Sequence, residues 1–168
     1  MRARLLLIFA LLLALTWTAA AQTKTTGTAS CAKPDPAYAI EVGDHPGHSI
    51  YITKSVCTWT TPMEIAGLQT KDAYDVAYGD GGGAKARGSG YHVSTMSNGD
   101  KIYVRFQGND TMNKDGSVAT SDGTWSYTGG TGTLKGIKGK GTYKGKGDAS
   151  GNVVFEVDGE YELPAAKK

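Results

Sequence analysis

The chain has 168 residues, 39% of them hydrophobic, with 18 basic against 16 acidic side chains, a formal net charge of +2 and two cysteines. This length fits one domain with one core. The basic excess resides in Arg2 and Arg4, so residues 22 to 168 carry 16 charges of each sign and no electrostatic footprint for nucleic acid or an anionic membrane.

Arg2 and Arg4 precede an apolar run over residues 5 to 15, and Ala19, Ala20 and Ala21 follow it before Gln22. This basic, apolar, small-residue order predicts a secretory signal peptide over 1 to 21. The apolar run is short for a spanning helix, so the expectation is a secreted or periplasmic protein with no membrane insertion after cleavage. Residues 22 to 37, QTKTTGTASCAKPDPA, read as a polar flexible arm, the ordered domain as 38 to 164, and 165 to 168 as a disordered tail. Cys31 and Cys57 are an even pair in an exported chain and predict one disulfide. Lipidation of Cys31 is excluded because the cysteine lies well past the apolar run and no leucine precedes it in Thr28-Ala29-Ser30.

Between the cysteines lies His45-Pro46-Gly47-His48. Cys31, His45, His48 and Cys57 have the residue types of a tetrahedral zinc site, but a disulfide consumes both thiols. No metal and no cofactor are therefore expected, and the two histidines read as surface turn residues. Residues 62 to 69 predict a short helix. Asp72, Asp75 and Asp80, with glycines 81 to 83, lack the order of a calcium loop and read as a solvated loop.

The next signal is a hairpin. A two-residue turn at Asn98-Gly99 pairs Thr95 with Ile102, Val93 with Val104 and Tyr91 with Phe106 on an apolar face. The opposite face then pairs Met96 with Lys101, Ser94 with Tyr103 and His92 with Arg105. A cation beside His92 disfavours imidazolium and suits a neutral base. Tyr91, His92, Tyr103 and Arg105 are accordingly the first residues to test for catalysis. Asn109-Asp110-Thr111 has the form of a glycosylation acceptor.

Residues 123 to 147 contain nine glycines and five lysines, a composition that excludes a stable helix and suits closely packed strands. Trp125 and Tyr127 alternate as core aromatics. Lys140, Lys144 and Lys146 share one parity, while Glu156, Asp158, Glu160 and Glu162 share one in the next segment; the turn residues 148 to 152 make these two strands a hairpin with a lysine ladder facing an acid ladder. Strands separated by turns at this density predict an all-β antiparallel sandwich or barrel.

Gly129-Gly130-Thr131-Gly132, followed by Leu134, Gly136, Gly139, Gly141 and Tyr143, resembles the GGTGxFxGxxGxGxY stretch of the allene oxide cyclase and dirigent type of barrels, and also a group of small exported bacterial β-barrel proteins. The resemblance covers the last third of the chain beyond residue 21. It implies an antiparallel, eight-stranded β-barrel with an internal cavity, and a homotrimer. No motif of this chain matches those families' catalytic strands, so neither cyclase nor dirigent activity is carried over. The expected function is binding of a small apolar or amphipathic molecule in the cavity, lined by Tyr91, Val93, Val104, Phe106, Trp125 and Tyr127. A cyclase or isomerase-type enzyme and a cell-envelope interaction protein without ligand are the alternatives.

Overall fold

The computed structural model describes residues 22–164; the expected leader over 1 to 21 and tail over 165 to 168 lie outside the described residues. Ten strands follow one another: β1 (Thr23–Cys31), β2 (Ala37–Glu41), β3 (Ser49–Thr61), β4 (Glu64–Ile65), β5 (Leu68–Gly82), β6 (Lys85–Met96), β7 (Lys101–Met112), β8 (Val118–Gly130), β9 (Lys138–Gly147) and β10 (Val153–Glu162). All pairings are antiparallel. Eight strands run in the order β3-β1-β10-β9-β8-β7-β6-β5, and pairing of β5 back onto β3 closes the barrel. Closure removes the sheet edges, which leaves only the short β2 and β4 outside the ring.

The expected arm is a barrel strand. Residues 23 to 31 pair along their whole length with β10, Thr23 opposite Tyr161 through Cys31 opposite Val153. Its threonines are β-branched, and Thr25, Gly27, Ala29 and Cys31 alternate buried against exposed neighbours. Low hydrophobicity concealed the alternation because every buried residue on this strand is small. The expected helix over 62 to 69 is also a hairpin: Glu64 pairs with Gln69 and Ile65 with Leu68, around Ala66 at φ 52° and Gly67 at φ 77°. Two successive positive φ values make the tight turn that joins strands of natural twist.

On β9 and β10 the expected ladders are present, with Lys144 opposite Glu156 and Lys140 opposite Glu160. Both rows face outward. Such exposed pairs contribute only a few tenths of a kcal/mol each, so the ladder sets strand register and solubility more than stability. Residues of the other parity, Tyr143, Phe155, Val157 and Tyr161, turn inward and join the core.

The interior is unequal along its axis. At one end Ile65, Met96, Ile102, Leu134 and Ile137 are almost fully buried, with Leu134 inserted by the single helical turn Gly132–Leu134. This end is a solid plug. The opposite end, where β1 meets β10 at Cys31 and Val153, is open between the hairpin loops.

Candidate functional site

An open cavity of about 770 Å³ enters the barrel from the unplugged end. Its floor is made by Trp59, Met63, Ile102 and Tyr127, and its rim by residues such as Lys33, Gly47, Gly83, Asp115 and Ser150. The volume lies within the 300–1,000 Å³ or so that small-molecule sites occupy. Its wall includes a row of glycines in register that makes room for two tyrosines: Gly79 opposite Gly88, Gly88 opposite Gly108, and Gly108 opposite Gly123. Four adjacent strands thus contribute no side chain at one level. Tyr51 and Tyr143 reach over this belt from its two ends; the Tyr51 hydroxyl lies 3.0 Å from where a Cβ on Gly88 would stand, and that of Tyr143 2.5 Å from the equivalent point on Gly123.

The hairpin register differs from the expected one. Thr95 pairs with Lys101, His92 with Val104 and Tyr91 with Arg105. Met96 N–H donates to the Asp100 carbonyl, and Gly99 takes φ 88°, so the turn has three residues, Ser97-Asn98-Gly99, instead of two. One extra residue reverses the faces of one strand relative to the other. Val104 and Phe106 consequently face the cavity together with Trp125 and Tyr127. Tyr91 and Val93, expected beside them, lie on the outer surface with Tyr103 and Arg105. His92, expected outside, points in.

Inside, His92 joins a polar network that the sequence reading did not assemble. Its Nδ1 lies 2.6 Å from Asp75 Oδ1 and its Nε2 2.8 Å from Ser94 Oγ, while Trp59 Nε1 donates to the same Oγ at 2.9 Å. An indole N–H can only donate, so the Ser94 hydroxyl accepts it and keeps its own proton free to donate to His92 Nε2 whenever that nitrogen is unprotonated. In the tautomer that uses both contacts the ring carries its proton on Nδ1, facing Asp75. This Asp-His-Ser order is the one that activates a serine nucleophile. Ser94, however, is fully buried and does not line the cavity, whereas Asp75 and His92 do. The arrangement fixes an imidazole at the cavity wall. Asp75, read in the sequence as part of a solvated loop, sits on β5 directly opposite His92.

Cys31 and Cys57 are bridged, joining β1 to β3 where they pair. Asp75 Oδ2 packs 3.7 and 3.6 Å from the two sulfurs. Neither sulfur has a proton to give, so His92 remains the carboxylate's hydrogen-bond partner, and no thiolate is left for the zinc set considered from sequence.

A second acid lines the cavity nearer its mouth. Burial raises the pKa of Asp110, the Ser121 hydroxyl partly offsets this, and Asp122 adds to it. Burial likewise pushes Tyr51 up to about 12, with the charge of Asp110 adding to it, and raises Tyr143 for the same two reasons. A carboxyl whose pKa is raised by folding is less stable charged in the fold than in the unfolded chain. Its penalty is present at neutral pH and is relieved as pH falls through the folded value. Asp110→Asn should therefore raise the unfolding temperature at pH 7, with the gap to wild type closing toward pH 4; a lower unfolding temperature at pH 7 would show that the carboxylate itself holds the mouth together.

No protein-family model matches the chain, and a search of curated proteins returns no match. Among solved structures, the chain is similar to a pterocarpan synthase dirigent protein, with 13% sequence identity, a TM-score of 0.51 and coverage of 88% of each chain. At that identity the likeness concerns the fold: an eight-stranded antiparallel barrel of the dirigent type.

Proposed function

We propose that this protein is an exported barrel that binds a small apolar or amphipathic molecule in its interior. The observation carrying this reading is the cavity itself, an apolar space behind an open mouth, with Phe106, Val104, Trp125 and Phe155 on its walls. Asp75-His92 at depth and Asp110 nearer the rim offer acceptors, and the buried Tyr127 hydroxyl has no hydrogen-bond partner among the described residues. Together these favour an uncharged ligand with an apolar body and hydroxyl-like groups. A filled small barrel without a ligand would lack such a space. Export is supported by the disulfide, which persists in oxidising compartments.

Homotrimeric assembly belongs to the same proposal and is supported by the outer wall. Tyr38 and Ile40 on β2 pair with Ile52 and Ile50 on β3, and β5 continues the wall with Tyr78; all are exposed, Ile40 to 77%. An apolar wall of this extent suits burial against other subunits.

The second reading, an isomerase or cyclase-type enzyme, is favoured by the oriented imidazole of His92, which could exchange a proton with a bound substrate through a shift in its bond to Ser94. Mass spectrometry of small molecules retained by protein purified from its native compartment, together with titration of an apolar fluorescent probe, tests the binding reading. Phe106→Ala should weaken the probe about tenfold or more while the circular dichroism stays that of a folded barrel. Equal probe affinity in wild type and Phe106→Ala would overturn it. Conversion of a retained molecule to an isomer, abolished in His92→Ala, would establish the enzyme reading instead.

A further inference from the structure

At the rim, the loop between β2 and β3 holds two histidines and an aspartate in one short turn. Pro46 and Gly47, the latter at φ 76°, occupy the central positions, and His48 N–H donates to the His45 carbonyl at 3.3 Å. This is the backbone of a type II turn, for which Pro-Gly is the preferred pair. It stacks the two imidazoles, with ring centroids 4.5 Å apart and planes inclined by 19°. Both Nδ1 atoms face the same carboxylate: His45 lies 3.1 Å from Asp44 Oδ2 and His48 2.5 Å from Asp44 Oδ1. From the other side, Asp80 Oδ1 on β5 lies 2.9 Å from His48 Nε2.

That last contact separates a ligand set from a chance cluster. Both nitrogens of His48 face a carboxylate, so a metal ion at Nδ1 must displace the proton shared with Asp44, while Asp80 holds the remaining proton on Nε2. Asp80 does so from a different strand, so Nδ1 is the nitrogen offered to the turn. The donor atoms of Asp44, His45 and His48 lie within 4.8 Å of one another, and the exposed His45 ring has room to turn out of the stack so that both in-plane Nδ1 lone pairs converge on one ion. We propose that Asp44, His45 and His48 bind one divalent transition-metal ion of the zinc or copper type at the cavity rim, with Asp80 as the residue that orients His48. Two imidazoles and one carboxylate select these ions over calcium or magnesium, which take oxygen ligands. Three protein ligands leave a fourth position for water or for a polar group of a molecule entering the barrel. The loop is placed for the latter, since Gly47 and Ser49 line the cavity and His45 Nε2 lies 3.0 Å from where a Cβ on Gly82 would stand.

The set considered from sequence included Cys31 and Cys57, was set aside because the disulfide consumes both thiols, and left the two histidines as surface turn residues. The carboxylate ligand comes from the turn itself and the orienting one from β5, whose alignment with the turn becomes visible only in the fold. The site shares no residue with the pair at His92, so its failure would leave the binding reading intact.

The test is titration calorimetry of the untagged protein with zinc chloride at pH 7.5. One ion per chain is expected. His45→Ala and His48→Ala should each weaken binding by about tenfold or more, and Asp80→Asn by about tenfold with unchanged stoichiometry, the effect expected of an orienting carboxylate. With copper(II), electron paramagnetic resonance should show hyperfine coupling to two imidazole nitrogens, reduced to one in either histidine variant. Asp80 and His45 are exposed and His48 is half-buried, so folding of the variants is checked by circular dichroism and, for His48→Ala, by thermal unfolding. No binding below millimolar zinc, or equal affinity in the double variant His45→Ala/His48→Ala, would overturn the proposal.

Discussion

Replacing both cysteines, Cys31→Ala with Cys57→Ala, should lower the stability of the barrel by about 3 to 4 kcal/mol, the value expected for releasing a loop of this length in the unfolded chain. The two positions are 26 residues apart and buried. The bridge lies at the end of β1, next to the stretch where the chain leaves the ring to form β2, so its loss should also loosen the first strand. Urea unfolding of the double variant under non-reducing conditions measures the first effect, and amide exchange on β1 the second. A loss under about 1 kcal/mol would mean that strand pairing with β10 already confines residues 23 to 31 without help.

Trp125→Ala should cost about 3 to 5 kcal/mol, the range for removing a large buried aromatic. The indole is 6% exposed, packs edge-on to Tyr127 with ring centroids 5.0 Å apart, and donates from Nε1 to the Thr142 carbonyl at 3.2 Å. It also lies over two glycines: Cε2 lies 2.6 Å from where a Cβ on Gly141 would stand, and the ring covers Gly159. Glycines have no side chain with which to refill the space, so relaxation cannot recover the lost contacts. Chemical unfolding of the variant measures the effect, and a loss below about 1.5 kcal/mol would show that the cavity already hydrates this face of the ring.

The fold class was legible because turn residues and alternating strands recur along the chain, and the ladders of β9 and β10 could be paired from parity alone. The candidate site was only half legible, for a reason that lies in three residues. Ser97-Asn98-Gly99 supports a turn of two or three residues, and the choice reverses one face of the hairpin. The two-residue choice placed Val104 and Phe106 inside correctly but drew Tyr91 and Val93 in with them and sent His92 out. Counting Gly99 as the residue with positive φ that closes a three-residue turn would have put His92 on the cavity side with Val104, while its pairing with Asp75 is set separately by the β5–β6 hairpin. The first strand was missed because alternation of Thr25, Gly27, Ala29 and Cys31 against Lys24, Thr26 and Thr28 is weak in hydropathy, although its small residues are what the inner wall needs beside Trp59 and Met63. Tyr51 and Tyr143 carried no signal by themselves. Their role depends on glycines from four strands meeting at one level, which is a property of register.

The plug and the open mouth divide the barrel into regions with different rates of opening. Ile65, Met96, Ile102 and Leu134 must be exposed together before the strands at that end can separate, whereas the belt of Gly79, Gly88, Gly108 and Gly123 has little apolar contact to lose. Hydrogen exchange should accordingly be slowest at the plug and progressively faster toward the rim within each strand, so that β7 exchanges more slowly at Ile102 than at Asp110. Breathing of this kind widens the entrance without disturbing the base, and the time a guest spends inside would then be set by fluctuations of the upper wall.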